Sequence, residues 1–207
     1  MARSSEPAIN LPPATLALIV LVFAAHVALL LLGDDARWVA YDQFGFVPLR
    51  YSARVPLDWP AFVAPFTYLF IHGDWMHLGI NLVTLAAFGA GVERRIGAFN
   101  TVSLFFLSGV IAAGAHYAVY ANSAEPVIGA SGAISGLMSA ALLALRESGR
   151  MGRSPIFVMA ALWIAAFTLP DLFSNQLVQG ASVAWVAHIG GFVAGLVLYR
   201  FFAGRPA

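Results

Sequence analysis

"PVIGASGAISGL", residues 126–137, lies between two long apolar runs and is built almost wholly from residues with little or no side chain. In lipid no hydrophobic effect drives helices together, so close backbone approach across small residues must supply the van der Waals contact. The small residues persist: Gly132, Gly136, Ala140 and Ala144 recur every four positions, and Ala187, Gly191 and Gly195 repeat the pattern downstream. Each run would form a helix with one smooth stripe. Glycine on either side of Ser131 also permits a sharp turn and leaves room for another backbone beside the hydroxyl.

The surrounding chain is that of a membrane protein. Apolar residues make up 60% and charged residues 10%, with a mean hydropathy of +0.82, well outside the range of soluble domains. Segments near 14–33, 77–95, 100–120, 131–147, 155–173 and 184–203 are each about long enough for a helix to cross the hydrocarbon core. The expected fold is therefore an all-α polytopic membrane protein. It comprises one transmembrane domain over 14–203, a long outer connection at 34–76, and short tails at 1–13 and 204–207. The first span reads as an uncleaved signal anchor.

All basic residues are arginine. Arg3, Arg94, Arg95, Arg146, Arg150, Arg153, Arg200 and Arg205 fall on one side of this topology and mark it as cytoplasmic. Asp34, Asp35, Asp42, Asp58, Asp74, Glu125 and Asp171 lie on the other, and the remaining Arg37, Arg50 and Arg54 lie in the long 34–76 connection, where basic residues weigh less in setting topology. The arginine asymmetry is accounted for by topology, so a net charge of +1 gives no reason to invoke nucleic acid. With no cysteine, the chain has no disulfide or thiol chemistry.

Spans two, four and six all enter from the outer side, which sets their opening residues at similar depth. His77 and Asn81 lie in the first turns of span two, Ser131 opens span four, and His188 lies about one turn into span six. Polar groups at membrane depth are costly and tend to face the bundle interior or a wet cavity. A serine needs a base to attack a carbonyl, and His188 is the candidate. His77 and Asn81, at i and i+4, share one helix face and could donate to a developing oxyanion, as could the Ser131 N–H at a helix N-terminus. On the residues alone, a catalytic serine site, a structural polar cluster and a transport pathway all remain open. No tight ligand motif accompanies His26, His72 or His116, so no metal and no cofactor are expected.

"HGDWMHLGIN" at 72–81, "GVERRIG" at 91–97, "GASG" at 129–132 and "AHIGGFVAG" at 187–195 together resemble the ordered signature of the rhomboid family of intramembrane serine proteases. The resemblance implies a six-transmembrane-helix bundle with a cavity open to the outside and a Ser-His dyad. Ser131 would be nucleophile and His188 general base, with His77, Asn81 and the Ser131 N–H stabilising the oxyanion. Glu93 and Arg95 match a structural ExR motif, where an ion pair is expected, and Gly129, Gly132, Gly191 and Gly195 belong to the structural pattern. Substrates would be single-span or other transmembrane proteins within the lipid bilayer, cut near the outer boundary. Access would be past span five, under a connection at 172–183. A non-catalytic client-binding relative with the same fold is the alternative. The implied location is a bacterial inner membrane with both termini cytoplasmic.

Two positions depart from the family pattern. Ala64-Pro65 stands where a Trp-Arg pair is common, which leaves the packing of the outer connection to other residues. Ser135 stands where an aromatic side chain often stacks on the histidine, so either its hydroxyl or another side chain must fill that space. The aromatic-rich stretch 38–51 suits either an interfacial element or loop packing.

Overall fold

The computed structural model describes residues 10–150, 152, 158–159, 161–163, 165 and 184–204. Its helices are α1 (Pro13–Leu31), α2 (Asp34–Phe44), α3 (Trp59–Thr67), α4 (Trp75–Ile96), α5 (Ala98–Tyr120), α6 (Ser131–Glu147) and α7 (Ala184–Phe202). Short 3-10 turns lie at Pro48–Tyr51 and Tyr68–Phe70. The described residues between 158 and 165 are helical, while most of the expected fifth span and the whole 172–183 connection lie outside the described residues. Among the described residues there is no β-sheet, and the all-α membrane fold expected from the sequence is borne out.

The helices divide into a sheath and a centre. Pro13–Leu31, Trp75–Ile96, Ala98–Tyr120 and Trp185–Phe202 are each long and apolar enough to cross a membrane. Their outer faces expose large apolar side chains such as Leu21, Val83, Ile111 and Val197, a surface suited to acyl chains. Helix α6 is shorter, at 17 residues, and every residue from Gly132 to Leu143 is buried. It packs against α4, α5 and α7, so the core is built around it.

Local chemistry explains where the helices begin and reverse. Asp74 caps α4 by accepting from the His77 N–H at 2.8 Å, and Asp58 caps α3 through Ala61. Gly97, at φ +82°, is the only residue between α4 and α5, and this left-handed conformation favours glycine. Helix α1 has no cap of its own. Its Ala14 and Thr15 N–H groups donate instead to the Glu93 carboxylate of α4, at 3.0 and 2.7 Å, and the Thr15 hydroxyl adds a third bond at 2.7 Å.

The expected Glu93 and Arg95 ion pair is therefore corrected. Glu93 and Arg95 are two apart on a helix and do not face one another. Arg95 pairs with Glu147 of α6 at 3.5 Å, and Glu147 also accepts from the Tyr199 hydroxyl of α7 at 2.8 Å. The two residues hold four helices together, each through its own partner.

The 34–76 connection is folded rather than irregular. Helix α2 spans Asp34–Phe44, and Phe46 exchanges two backbone hydrogen bonds with Val127, at 2.9 and 2.8 Å. Leu49 N–H donates to Ser123 at 2.9 Å. Arg50 bridges Asp42 at 2.9 Å and Asp58 at 3.1 Å, tying α2 to the start of α3. Ala64 is fully buried and Pro65 lies within α3, and the segment is anchored by other residues, among them Arg50, the Phe46 bridge, and Thr67, whose hydroxyl donates to the Phe44 carbonyl at 2.8 Å.

Candidate active site

The two small-residue stripes meet. A Cβ added at Gly191 would sit on the Gly132 carbonyl oxygen, and one at Gly195 on the Gly136 carbonyl oxygen. Both helices advance by four residues between these contacts, so α6 and α7 run in the same direction with backbones in direct contact. The expected close pairing of these two runs is found.

Just beyond the Gly132 and Gly191 contact, the His188 Nε2 lies 2.7 Å from the Ser131 Oγ. His188 is 3% exposed, while Ser131 is only half-buried. Ser131 is the first residue of α6, so its N–H and those of the next residues have no preceding helical carbonyl to bond. They are donors aimed out of the helix end, close to the hydroxyl.

The approach to Ser131 is set by the segment leading into it. Val127 is held by the Phe46 bridge, and the Gly129 N–H donates to the Tyr68 carbonyl at 2.9 Å. Gly129 has φ +110°, and a Cβ there would lie 2.7 Å from the His77 Nε2. Glycine is thus required twice, by the turn and by the imidazole against it. His77 consequently stands beside the chain just ahead of Ser131. His72 flanks it, with ring centroids 4.9 Å apart.

Asn81 lies one turn below His77 and is 2% exposed. Its Nδ2 donates to the His77 carbonyl at 2.8 Å, and its Oδ1 has no hydrogen-bond partner among the described residues. A primary amide has two N–H groups, so one donor remains beyond the intrahelical bond. His72 presents its Nε2 to the Ala130 N–H at 3.5 Å, a long contact. Burial, with His77 adding to it, pushes the His72 imidazole down to about 3, so it is neutral at ordinary pH.

Ser135, which stands where an aromatic side chain is common, makes two hydrogen bonds not legible from the sequence. The Ser135 hydroxyl donates to the Ser131 carbonyl at 2.8 Å and accepts from the Trp163 Nε1 at 3.0 Å. Trp163 in turn meets the edge of Phe88 on α4, at 5.8 Å between centroids. The hydroxyl thus braces the first turn of α6 and reaches a tryptophan that sequence reasoning did not single out. A tryptophan in an apolar run carries no local signal of this role. His26 and His116 are buried, beside Trp75 and Tyr120 respectively. Among the described residues no three His, Asp or Glu side chains are grouped to hold a metal.

The structure thus sets the Ser131 hydroxyl against the His188 imidazole, with His77 beside the chain just ahead of them. Comparisons with known proteins find relatives of this chain. Residues 61–205 match the family model of the Rhomboid domain. The chain is 29% identical over 145 residues to Rhomboid-type serine protease 2 of Emericella nidulans, covering 69% of this chain and 27% of that one. It is 27% identical over 191 residues to Rhomboid protease GlpG of Serratia proteamaculans, covering 90% and 61%. A third relative, Rhomboid-like protease 5 of Toxoplasma gondii, is 31% identical over 130 residues, covering 62% and 15%. The chain thus spans between 15% and 61% of the length of these relatives.

Proposed function

The chain belongs to the rhomboid family, and on that premise we propose that it is an intramembrane serine endopeptidase using Ser131 and His188 as a dyad. The observation that carries this reading is the 2.7 Å approach of the His188 Nε2 to the Ser131 Oγ at the junction of two parallel helices.

In the proposed reaction His188 takes the hydroxyl proton as Oγ attacks the scissile carbonyl carbon. The negative charge that forms on the carbonyl oxygen is met by the Ser131 N–H, the His77 Nε2–H and the free N–H of Asn81. His188 then passes its proton to the departing amine as the C–N bond breaks, leaving an acyl group on Ser131. Water entering from the outer side gives its proton to His188 and attacks the ester, and the acid product leaves with the hydroxyl restored. These steps call on no metal or cofactor.

Substrates in this reading are transmembrane segments of membrane proteins. A helix in lipid has its carbonyls hydrogen-bonded, so segments with helix-breaking or small residues near the outer boundary are favoured because they unwind at lower cost. The arginine-bearing ends of α4, α6 and α7 face the cytoplasm, of a bacterial inner membrane in this proposal, with the six-span arrangement placing both termini there.

The test is cleavage of a fluorescently tagged single-span substrate in proteoliposomes. Wild type should cut it, and Ser131→Ala and His188→Ala should each lower the rate by about 10³ or more with helix content unchanged. A fluorophosphonate probe should label wild type at Ser131. Failure to label, with no panel substrate cut by a folded wild type, would sink the catalytic reading in favour of client binding.

A further inference from the structure

At the opposite end of the bundle from Ser131, a groove of about 450 Å³ opens between α4 and α6. Its walls are apolar, formed chiefly by Ala87, Phe88, Gly91, Leu142 and Leu145, and its mouth carries Arg94, Arg95 and Arg150. The charges there do not balance. The Glu93 carboxylate is occupied by the start of α1, and Glu147 is shared by Arg95 and Tyr199. The Arg94 and Arg150 guanidinium groups form no ion pair among the described residues, although Arg94 donates one hydrogen bond to the Asn10 carbonyl. Topology accounts for arginines at this end, but not for an apolar groove leading inward from them.

Two guanidinium groups above an apolar slot fit a phosphodiester attached to an acyl chain. A soluble anion would leave the apolar walls in contact with water, and a zwitterionic headgroup would set its own cation among the arginines. We infer that this groove binds one anionic glycerophospholipid, its phosphate at Arg94 and Arg150 and one acyl chain along Gly91 and Ala87. Gly91 supplies the room: a Cβ there meets nothing within 4 Å.

Native mass spectrometry of the delipidated full chain in detergent tests this, using dioleoyl phosphatidylglycerol, dioleoyl phosphatidylcholine of the same chains, glycerophosphoglycerol and inorganic phosphate as probes. The expected result is a single phosphatidylglycerol adduct that survives activation, with phosphatidylcholine bound at least about tenfold more weakly and neither headgroup probe retained. Arg94→Gln with Arg150→Gln should weaken the adduct by roughly tenfold or more, the loss of two charge-assisted contacts. Gly91→Leu should weaken it comparably by filling the slot while leaving both arginines in place. Far-UV circular dichroism establishes that each variant is folded, and a variant that is not is replaced by Leu145→Gln, which makes the same wall polar.

Equal retention of the two lipids overturns the proposal, as does an adduct unchanged in both folded variants. Retention of the headgroup probes alone would replace the lipid site with a simple anion site. Loss in the arginine pair but not in Gly91→Leu would remove the acyl-chain assignment.

Discussion

The two ends of the α4, α6 and α7 bundle use polar residues in opposite ways. At the Glu93 end, the carboxylates are engaged by other helices: Glu93 accepts three hydrogen bonds from α1, and Glu147 joins Arg95 to Tyr199, which leaves Arg94 and Arg150 without an ion pair among the described residues. At the Ser131 end, capacity is left over. Asn81 keeps a free N–H and an unpartnered Oδ1, and the first turn of α6 presents N–H groups with no helical acceptor. Engaged carboxylates position helices, whereas groups with capacity in reserve can receive a ligand. The glycine seam between α6 and α7 transmits the first to the second, because it holds both helices in one register.

The contrast is broken most strongly at the reactive end. Asn81→Ala removes a donor proposed for the oxyanion, and kcat should fall about 10²-fold with little change in thermal midpoint. Steady-state cleavage in proteoliposomes reads this, and a midpoint loss matching the activity loss would make Asn81 a structural residue instead.

The seam should come next. Gly191→Ala places a Cβ on the Gly132 carbonyl, so the helices must part or shift, at a cost of about 1–3 kcal/mol and with loss of the His188 approach. Gly114→Ala sharpens the comparison, since a Cβ there meets open space and should leave stability unchanged or raise it by up to about 1 kcal/mol through helix preference. Equal effects from the two substitutions would show that seam contact is unimportant.

At the Glu93 end, Glu93→Gln keeps the shape but loses the charge that accepts from Ala14 and Thr15. It should lower stability by about 1–2 kcal/mol while cleavage per folded molecule stays near wild type. Thermal unfolding and active-site titration together separate these two quantities.

The smallest expected effect is one of pH. The His72 imidazole, held down at about 3 from an ordinary 6.5, gains a proton on unfolding throughout the interval between those values. Its contribution is therefore present above about pH 6.5 and is lost as pH falls toward 3. Denaturation midpoints measured from pH 7 to 4 should decline less steeply in His72→Phe than in wild type, and parallel slopes would remove His72 from the acid response.

Much of the molecule was legible in one dimension. Hydropathy marked the spans of α1, α4, α5 and α7, and four-residue spacing of Gly and Ala marked the faces of α6 and α7 that touch. Ser131, His188, His77 and Asn81 could be placed together because they open spans expected to run in one direction. The structure brings Ser131 and His188 into contact and sets His77 against Gly129. It turns one Asn81 donor toward its own helix. The folding of the 34–76 connection was less legible, since Phe46 is held by Val127, far along the chain, and the charge of Arg50 does not by itself select Asp42 and Asp58.

The sequence by itself determined that this is a helical membrane protein and which helix faces lie against others, since both follow from side-chain size and polarity repeated at helical spacing. Only the tertiary structure decided which partner each polar group would take: α1 for Glu93, Glu147 for Arg95, and the Ser131 carbonyl and Trp163 for Ser135. Hydrogen bonds and ion pairs act over a few ångströms and depend on direction, so they are settled by the register in which packed helices come to rest.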